Sequence, residues 1–198
     1  MAILTLASGS AIRATLLRSA GVAIQIQPVR IDEDMLRDSL VAEGATARDI
    51  ADALAEVKAP RVAARDPQGL VLGCDQILEC DGRIFAKPVS PDDARAQLSI
   101  LRARTHRLHT AAVLFADGIP VWRHVATPRL TMRGFSDAFL DDYVNRNWQD
   151  IRHCVGCYQI EGPGIRLFRV IEGDLFAIQG LPLMELLDIL ITRGDIAA

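Results

Sequence analysis

Short apolar runs and segments with helical periodicity follow one another along the chain. The runs Ile3–Ala7 and Leu70–Leu72 are typical of buried strands, and the alternation over Ala23–Val29 predicts a further strand. Helices are predicted where apolar residues recur on one face after an N-cap residue, as they do after Ser10 and after Thr46. Polar side chains that follow a predicted strand or precede a predicted helix are expected to lie at the edge of the core.

The pattern continues through the rest of the chain. The predicted elements that follow are a hairpin turning at Asp81-Gly82, a helix after Ser90, strands over His109–Phe115 and Val121–Leu130 joined at Asp117-Gly118, a helix after Ser136, a strand over Val155–Ile165 broken by a glycine-rich turn, a strand over Leu167–Ile171, and a closing helix over Leu181–Thr192. The hairpin is the strongest of these signals, because Asp-Gly favours the positive backbone angles of a two-residue turn.

An acid follows the run Leu70–Leu72, after Gly73 and Cys74. A side chain at the carboxyl end of a central strand faces the crevice where α/β sheets bind ligands. Asp75 is therefore predicted to be a catalytic or metal-binding acid, and the alternative is a helix or turn cap.

The first strand, the small-residue turn after it and the helix that follows predict an anion site. Ser8 and Ser10 lie in the turn, and the free N–H groups at the start of the helix favour an anion. Arg13 adds a forked phosphate donor one turn into the helix. The alternative is a capped surface helix with a solvated arginine.

Three other charged residues are candidates for the same site. Glu33 lies in a run of three acids, which is either a solvated turn or a set of oxygen ligands for magnesium. Lys87 precedes a proline that favours an extended backbone, and the predicted hairpin returns it towards Asp75. Lys58 lies beside the apolar face of its predicted helix, and its position alone suggests a solvated lysine.

Composition narrows the classes of function. Apolar residues make up 50% and charged residues 24% of 198 residues, which is typical of a globular protein. A net charge of −3 argues against a protein that binds duplex DNA or an anionic membrane. We find no basic leader region and no apolar stretch of the ~18 residues that a membrane span needs. With no repeat or linker, we expect one domain over residues 1–198 and a cytoplasmic location.

The cysteines are predicted to be buried, reduced thiols. They are Cys74, Cys80, Cys154 and Cys157. The CxxC spacing of the last two leaves a redox pair or a zinc site as alternatives, with His106 and His109 as the other zinc ligands. His106 and His109 lie in a predicted strand, where positions three apart point to opposite faces, which argues against their binding one zinc ion.

Taken together, these stretches resemble the Maf (septum formation) family of nucleoside triphosphate pyrophosphatases. The segments that carry the resemblance are Leu6–Ser10 with Arg13, Asp32-Glu33, Ala55–Ala59, Gly73–Gln76, Lys87-Pro88, Thr105-His106, Gly156–Tyr158 with Glu161-Gly162, and Gly180–Leu183. None is specific alone, but they occur in the order of the family and cover nearly the whole chain.

The resemblance implies an α/β fold similar to Maf and inosine-triphosphatase proteins, with a long mixed β-sheet, flanking helices and two lobes around a cleft. It also implies hydrolysis of a nucleoside triphosphate to the monophosphate and pyrophosphate with Mg²⁺ or Mn²⁺, commonly by a homodimer. The residues that match the family's site are Ser8, Ser10, Arg13 and Lys58 for binding the substrate, and Asp75, Glu33 and Lys87 for catalysis. We expect Asp75 to orient or deprotonate the attacking water, either directly or through a metal that it shares with Glu33.

Three departures from the family pattern bear on the substrate. One expected arginine is missing between Ser10 and Arg13, so Arg102 or Arg104 is a candidate source of that charge. Gln76 and Glu161 replace a threonine and a glutamine, and both changes resemble the branch that acts on 7-methyl-GTP.

The glutamate has a physical interpretation. A carboxylate only accepts hydrogen bonds, so Glu161 would accept two adjacent N–H donors of guanine and repel a pyrimidine carbonyl. We therefore expect Glu161 to face the base and Gln76 to be a further substrate-binding residue. The alternative for Glu161 is a residue that binds metal or faces solvent. The alternatives are a pyrophosphatase for dTTP and UTP, and a nucleotide-binding regulator of cell division that acts without catalysis.

Overall fold

The structure is a computed structural model that describes residues 2–64 and 69–197. Within these residues the strands are β1 (Leu4–Leu6), β2 (Ile24–Ile26), β3 (Leu70–Cys80), β4 (Arg83–Phe85), β5 (Thr105–Ala116), β6 (Ile119–Ala126), β7 (Arg129–Met132) and β8 (Phe168–Glu172). The helices are α1 (Ala11–Ser19), α2 (Glu33–Ala42), α3 (Ala47–Ala63), α4 (Pro91–Leu101), α5 (Asp137–Ile151), α6 (Leu175–Ile178) and α7 (Leu183–Thr192), with 3₁₀ turns at Val155–Cys157 and Pro163–Leu167.

These strands belong to one mixed sheet, which confirms the predicted α/β class. The chain divides into two compact units, as the expected lobes require. The first unit contains the described residues within 1–76, 110–126 and 174–198. The second unit contains residues 77–109 and 127–173. The single domain over residues 1–198 and the cleft stay predictions.

The first unit combines parallel strands with one antiparallel pair. β1 runs parallel to β2 through Leu4 and Ile24, and parallel to β3 through Leu4 and Leu70. β6 pairs antiparallel with the part of β5 that begins at Thr110. Strands buried on both faces consist of continuous apolar residues, which explains the runs in the sequence. The core residues from strands and helices in this unit include Leu6, Leu72, Leu17, Leu114, Leu186 and Leu190.

Gly73 sets a close approach of β3 to α3. A Cβ atom at this position would collide with the backbone carbonyl oxygen of Ala55. Since a backbone carbonyl cannot rotate away as a side chain can, helix and strand come this close only because residue 73 has no side chain. The contact also places the next turn of α3 against the middle of β3.

We expect Gly73→Ala to lower the free energy of unfolding by about 3 kcal/mol, the upper part of the range for an overfilled core. Urea denaturation with linear extrapolation measures this change. Gly134→Ala is the matched control, because a Cβ there has no neighbour within 4 Å. Equal stability of the two variants would contradict the close approach.

The second unit consists of antiparallel strands and two helices. The predicted hairpin is confirmed: the end of β3 pairs with β4 through Leu78 and Phe85, and the turn residues Asp81 and Gly82 have φ angles of 51° and 78°. β7 pairs with both β5 and β8. Its helices α4 and α5 begin as predicted, after Ser90 and Ser136, whose hydroxyls accept from the N–H groups three residues later.

Several predicted elements differ from those of the structure. The strand predicted over Val121–Leu130 is two strands, because it contains Pro128, which has no N–H for a ladder. The segment Val155–Ile165 forms 3₁₀ turns, since Gly156 and Cys157 have left-handed φ angles of 76° and 61°. Helices α2 and α6 were not predicted. Each begins after an acid that accepts a backbone N–H, Asp32 for α2 and Asp174 for α6.

His106 lies in the core of the second unit and is only 1% exposed. Its Nε2 lies 2.8 Å from the hydroxyl of Tyr158, and its ring is near that of Phe168. Burial lowers the pKa of His106 to about 4 from the ordinary 6.5. The folded protein therefore binds fewer protons than the unfolded chain between these pH values.

The stability that neutral His106 contributes is present above pH 6.5 and is lost as the pH falls towards 4. The loss over this window is about 3 kcal/mol, from the 1.36 kcal/mol that each pKa unit represents. We expect His106→Gln to flatten the dependence of the unfolding free energy on pH relative to the wild type. His153→Gln, at an exposed position, is the control and retains the wild-type slope. An unchanged slope in His106→Gln would contradict the assignment.

Candidate active site

A buried lysine joins the two carboxylates that the sequence singled out. The Nζ atom of Lys58 lies 2.6 Å from Oδ1 of Asp75 and 2.9 Å from Oε1 of Glu33. It also donates to the carbonyl oxygen of Cys74 at 3.3 Å. The side chain of Lys58 is 6% exposed, although its position in the sequence alone suggested a solvated residue.

The position of Lys58 follows from the contact at Gly73. Lys58 comes three residues after Ala55, so it lies on the same face of α3 and points at β3. Asp75 lies two residues after Gly73 and therefore on the same face of the strand. The charged pair is thus fixed by the closest contact between helix and strand.

Asp75 lies in the middle of β3, not at its end. The strand continues to Cys80, so the predicted strand end after Cys74 is wrong, and so is the alternative of a turn or helix cap. Asp75 and Lys58 are both buried, and burying an unpaired charge is costly. The structure therefore shows a carboxylate held inside the first unit by its ammonium partner, with the half-exposed Glu33 on the other side.

Arg13 is buried beside this pair. Its Nη1 donates to Oγ of Ser8 at 3.1 Å and to the carbonyl oxygen of Cys74 at 3.0 Å, and its Nε donates to the carbonyl oxygen of Gly180 at 2.6 Å. Ser10 precedes α1 as predicted, but its side chain makes no capping bond, and its N–H donates to Oγ of Ser8 at 3.3 Å. The alternative of a solvated arginine on a capped helix is therefore wrong.

Gln76 lies on the face of β3 opposite Asp75, as successive strand residues do. Its Nε2 donates to Oγ1 of Thr110 at 2.8 Å and to the carbonyl oxygens of Ala177 at 3.0 Å and Ile178 at 3.1 Å. The expected role of Gln76 in substrate binding stays a prediction. Thr110 was not singled out from the sequence, because a lone threonine in an apolar strand is not a distinctive signal.

Lys87 and Glu161 belong to the second unit, and both are exposed. They influence the same thiol: burial raises the pKa of Cys154, Glu161 raises it further, and Lys87 lowers it. The two residues therefore lie in one region of the second unit. The remaining predicted residues are in the first unit, and they are Ser8, Ser10, Arg13, Glu33, Lys58, Asp75 and Gln76.

The arginines considered as a substitute phosphate site are paired with acids in the second unit. Arg102 lies 2.7 Å from Asp137, and Arg104 lies 2.8 Å from Asp81. The charge that either would bring to a phosphate is thus balanced by a neighbouring carboxylate.

The cysteines are free thiols, as predicted. Cys74, Cys80 and Cys157 are also buried as predicted, but Cys154 is only partly buried, so the prediction of burial is wrong there. Burial raises the pKa of each, to about 11 for Cys74, which favours the protonated thiol over the reactive thiolate at neutral pH. Over residues 2–64 and 69–197 no group of three or more His, Cys, Asp or Glu side chains is placed to hold a metal ion. Within those residues the zinc alternative has no ligand set. None of the helices described is long and apolar enough to cross a membrane.

The fold and this site define an α/β protein with a lysine-bridged pair of carboxylates beside a serine-arginine cluster. The family profile described as Maf-like protein matches residues 3–193, and the chain belongs to the Maf family. A nucleoside triphosphate pyrophosphatase of Roseobacter denitrificans is 52% identical over 193 residues, which cover 98% of this chain and 97% of that protein. One of the same name from Ruegeria pomeroyi is 51% identical over 193 residues, again 98% and 97%.

A crystal structure of a nucleoside-triphosphatase / dITP/XTP pyrophosphatase from Mycobacterium abscessus covers 99% of this chain and 98% of its own, at 15% identity and a TM-score of 0.42. We draw no conclusion from a likeness at this level.

Proposed function

We propose that this protein hydrolyses nucleoside triphosphates to the monophosphate and pyrophosphate. The observation that carries this proposal is the buried Lys58 ammonium between the carboxylates of Asp75 and Glu33. Support comes from membership of the Maf family and from relatives about half identical that are named nucleoside triphosphate pyrophosphatase. A buried acid with cationic partners is a common arrangement at catalytic sites.

The reaction attaches a water oxygen to the α-phosphorus and breaks its bond to the oxygen that bridges to the β-phosphorus. The water loses a proton, and pyrophosphate leaves with the bond's electrons. In our proposal Asp75 orients this water and accepts its proton, which is general base catalysis. Lys58 holds one oxygen of Asp75, Oδ1, and so fixes its direction.

Neutralising the triphosphate requires cations and hydrogen-bond donors. In the first unit, Ser8, Ser10, Arg13 and Lys58 are the proposed groups, and the N-terminus of α1 adds backbone N–H donors. Lys87 of the second unit is the further proposed cation.

A divalent cation, Mg²⁺ or Mn²⁺, is the proposed cofactor. Asp75 and Glu33 would hold it, since their carboxylates converge on one cation already, the ammonium of Lys58. Carboxylate oxygens are the ligands that Mg²⁺ prefers, and it commonly takes one or two of them together with substrate phosphates, so the residues fit the ion. When bound, such an ion neutralises phosphate charge and activates water.

We propose 7-methyl-GTP as a substrate, through the carboxylate of Glu161. Glu161 is exposed, so its carboxylate is open to a ligand. A carboxylate accepts from the adjacent N–H donors of guanine, whereas a pyrimidine presents an oxygen that it repels. Pyrophosphatase activity on dTTP and UTP is the second candidate.

The test is a panel of nucleoside triphosphates incubated with the purified protein and Mg²⁺, with pyrophosphate and orthophosphate measured separately. The panel contains 7-methyl-GTP, GTP, dTTP, UTP and ATP. We expect pyrophosphate without orthophosphate, and the highest kcat/KM for 7-methyl-GTP. A preference for dTTP or UTP would overturn the guanine proposal and leave the reaction intact. Absence of turnover with every substrate would favour a nucleotide-binding regulator.

We also propose that the protein acts as a homodimer in the cytoplasm. Light scattering coupled to size-exclusion chromatography measures the mass directly, and a mass near the 21.6 kDa of one chain would overturn the dimer.

A further inference from the structure

The turn that follows α6 is held by side chains from three other elements. The carbonyl oxygen of Ala177 accepts from Thr110 of β5 at 2.8 Å and from Gln76 of β3 at 3.0 Å. That of Ile178 accepts from Gln76 at 3.1 Å, and that of Gly180 from Arg13 of α1 at 2.6 Å. All of these residues lie in the first unit.

These carbonyls need partners because of where they lie. The last carbonyl groups of a helix have no partner within it, and α6 is only four residues long. The carbonyl oxygen of Ala177 also accepts from the N–H of Gly180 at 3.0 Å. Ala177 and Ile178 are buried, so water does not supply the other donors that these carbonyls can accept. Asp174 satisfies the other end of α6 by accepting from the N–H groups of Phe176 and Ala177. Both ends of this short helix are thus fixed by side chains.

The same side chains also fix the backbone around Asp75. Arg13 donates to the carbonyl oxygen of Cys74, the residue before Asp75, at 3.0 Å. Gln76, the residue after Asp75, is tied by its own side chain to the turn. Both neighbours of Asp75 are therefore joined to one turn, Ala177–Gly180.

We propose that Arg13, Gln76 and Thr110 form a positioning clamp that joins the Ala177–Gly180 turn to β3 and thereby sets the position of the backbone that carries Asp75, while Lys58 holds the carboxylate itself. The clamp rests on the proposed function, since Asp75 needs a set position only if it acts on a reacting water. It gives Gln76 a role at the site that requires no contact with the base.

The chemistry of the three side chains suits this role. Arg13 uses three of its five N–H donors on the chain itself, in the fixed fork of the guanidinium. Thr110 is fully buried. Its hydroxyl accepts from Gln76 and donates to the carbonyl oxygen of Ala177, so it links β3 to the turn after α6. A residue that acts through such bonds affects kcat through geometry, since a small displacement of a catalytic group costs much rate.

Thr110→Val tests the clamp, because valine keeps the shape and removes the hydroxyl. We expect kcat to fall about tenfold or more, which is the factor that one lost hydrogen bond represents. We expect KM to stay within about twofold of wild type. Thr110→Ser restores the hydroxyl, and we expect it to return kcat to within about threefold of wild type. Thr131→Val, which removes the bond between Thr131 and Thr105 in the second unit, is the matched control and keeps wild-type kcat.

Hydrogen exchange of the peptide over residues 174–182 provides a readout without turnover. We expect exchange in Thr110→Val to be about tenfold faster, in proportion to the same lost bond, and exchange in the other two variants to stay near wild type. Faster exchange together with a lower kcat supports the clamp. A wild type without turnover would defeat the proposed function, and exchange would then show separately whether the turn is held by Thr110.

Three results would overturn the clamp. The first is a raised KM with unchanged kcat, which would place Thr110 in substrate binding. The second is a lowered melting temperature with unchanged kcat, which is a purely structural effect. The third is no change in either kcat or exchange. Should Thr110→Val fail to fold, Arg13→Lys is the second variant: the clamp predicts a lower kcat despite the retained charge, whereas a phosphate contact by charge alone predicts near-normal kcat.

Discussion

Asp75→Asn is expected to lower kcat by about 10²–10⁴-fold, the range that general base catalysis contributes. Asparagine keeps the shape of the side chain and its bond to the buried Lys58, but it cannot accept a proton. We expect KM to change far less than kcat, because the loss falls on the transition state. Steady-state release of pyrophosphate measures both constants.

Two controls separate chemistry from folding. Circular dichroism and urea unfolding establish that the variant is folded at the assay temperature. Asp141→Asn removes an exposed acid that pairs with Arg95 of α4 in the second unit, and it should retain wild-type kcat. Full activity in Asp75→Asn would refute the role of this acid.

Lys58→Met is expected to have the largest effect on stability of the variants considered. Removal of the ammonium leaves the buried carboxylate of Asp75 without its partner, and breaking a buried pair costs about 3–5 kcal/mol. Turnover should fall as well, since the direction of Asp75 and the charge beside the phosphates both change. Urea denaturation measures the loss of unfolding free energy.

The double variant Lys58→Met with Asp75→Asn shows whether the two effects have one cause. With both charges removed, no unpaired carboxylate remains at residue 75, so the double variant should lose less stability than the sum of the two single losses. Lys87→Met, at an exposed lysine of the second unit, should cost within about 0.5 kcal/mol. Strict additivity of the double variant would contradict direct coupling of Lys58 and Asp75.

The predictable parts of the fold are those with strong local signals. The Asp81-Gly82 hairpin and the caps at Thr46, Ser90 and Ser136 are present as expected, because turn and cap chemistry involve only neighbouring residues. Helix α6 was not predicted, since four residues contain no period to detect. The segment Val155–Ile165 was misassigned because two left-handed residues, one of them not glycine, override its apolar composition.

The candidate site, like the fold, was predictable only where the signal lies in neighbouring residues. Asp75 and Arg13 are conspicuous as charges beside apolar runs, and both are buried in the first unit. Lys58 is not conspicuous in the sequence, because its burial depends on the close packing of α3 against Gly73, fifteen residues away. The bonds of Gln76 and Arg13 to the turn after α6 join residues more than a hundred positions apart, and no local pattern encodes them.

Hydrolysis in H₂¹⁸O tests the central claim most directly. Attack on the α-phosphorus places one ¹⁸O in the nucleoside monophosphate and none in the pyrophosphate, and mass spectrometry of both products reads the position of the label. We expect labelled monophosphate and unlabelled pyrophosphate from the wild type, with neither formed at a comparable rate by Asp75→Asn. Label in the pyrophosphate, or release of orthophosphate with a nucleoside diphosphate, would contradict the proposed reaction.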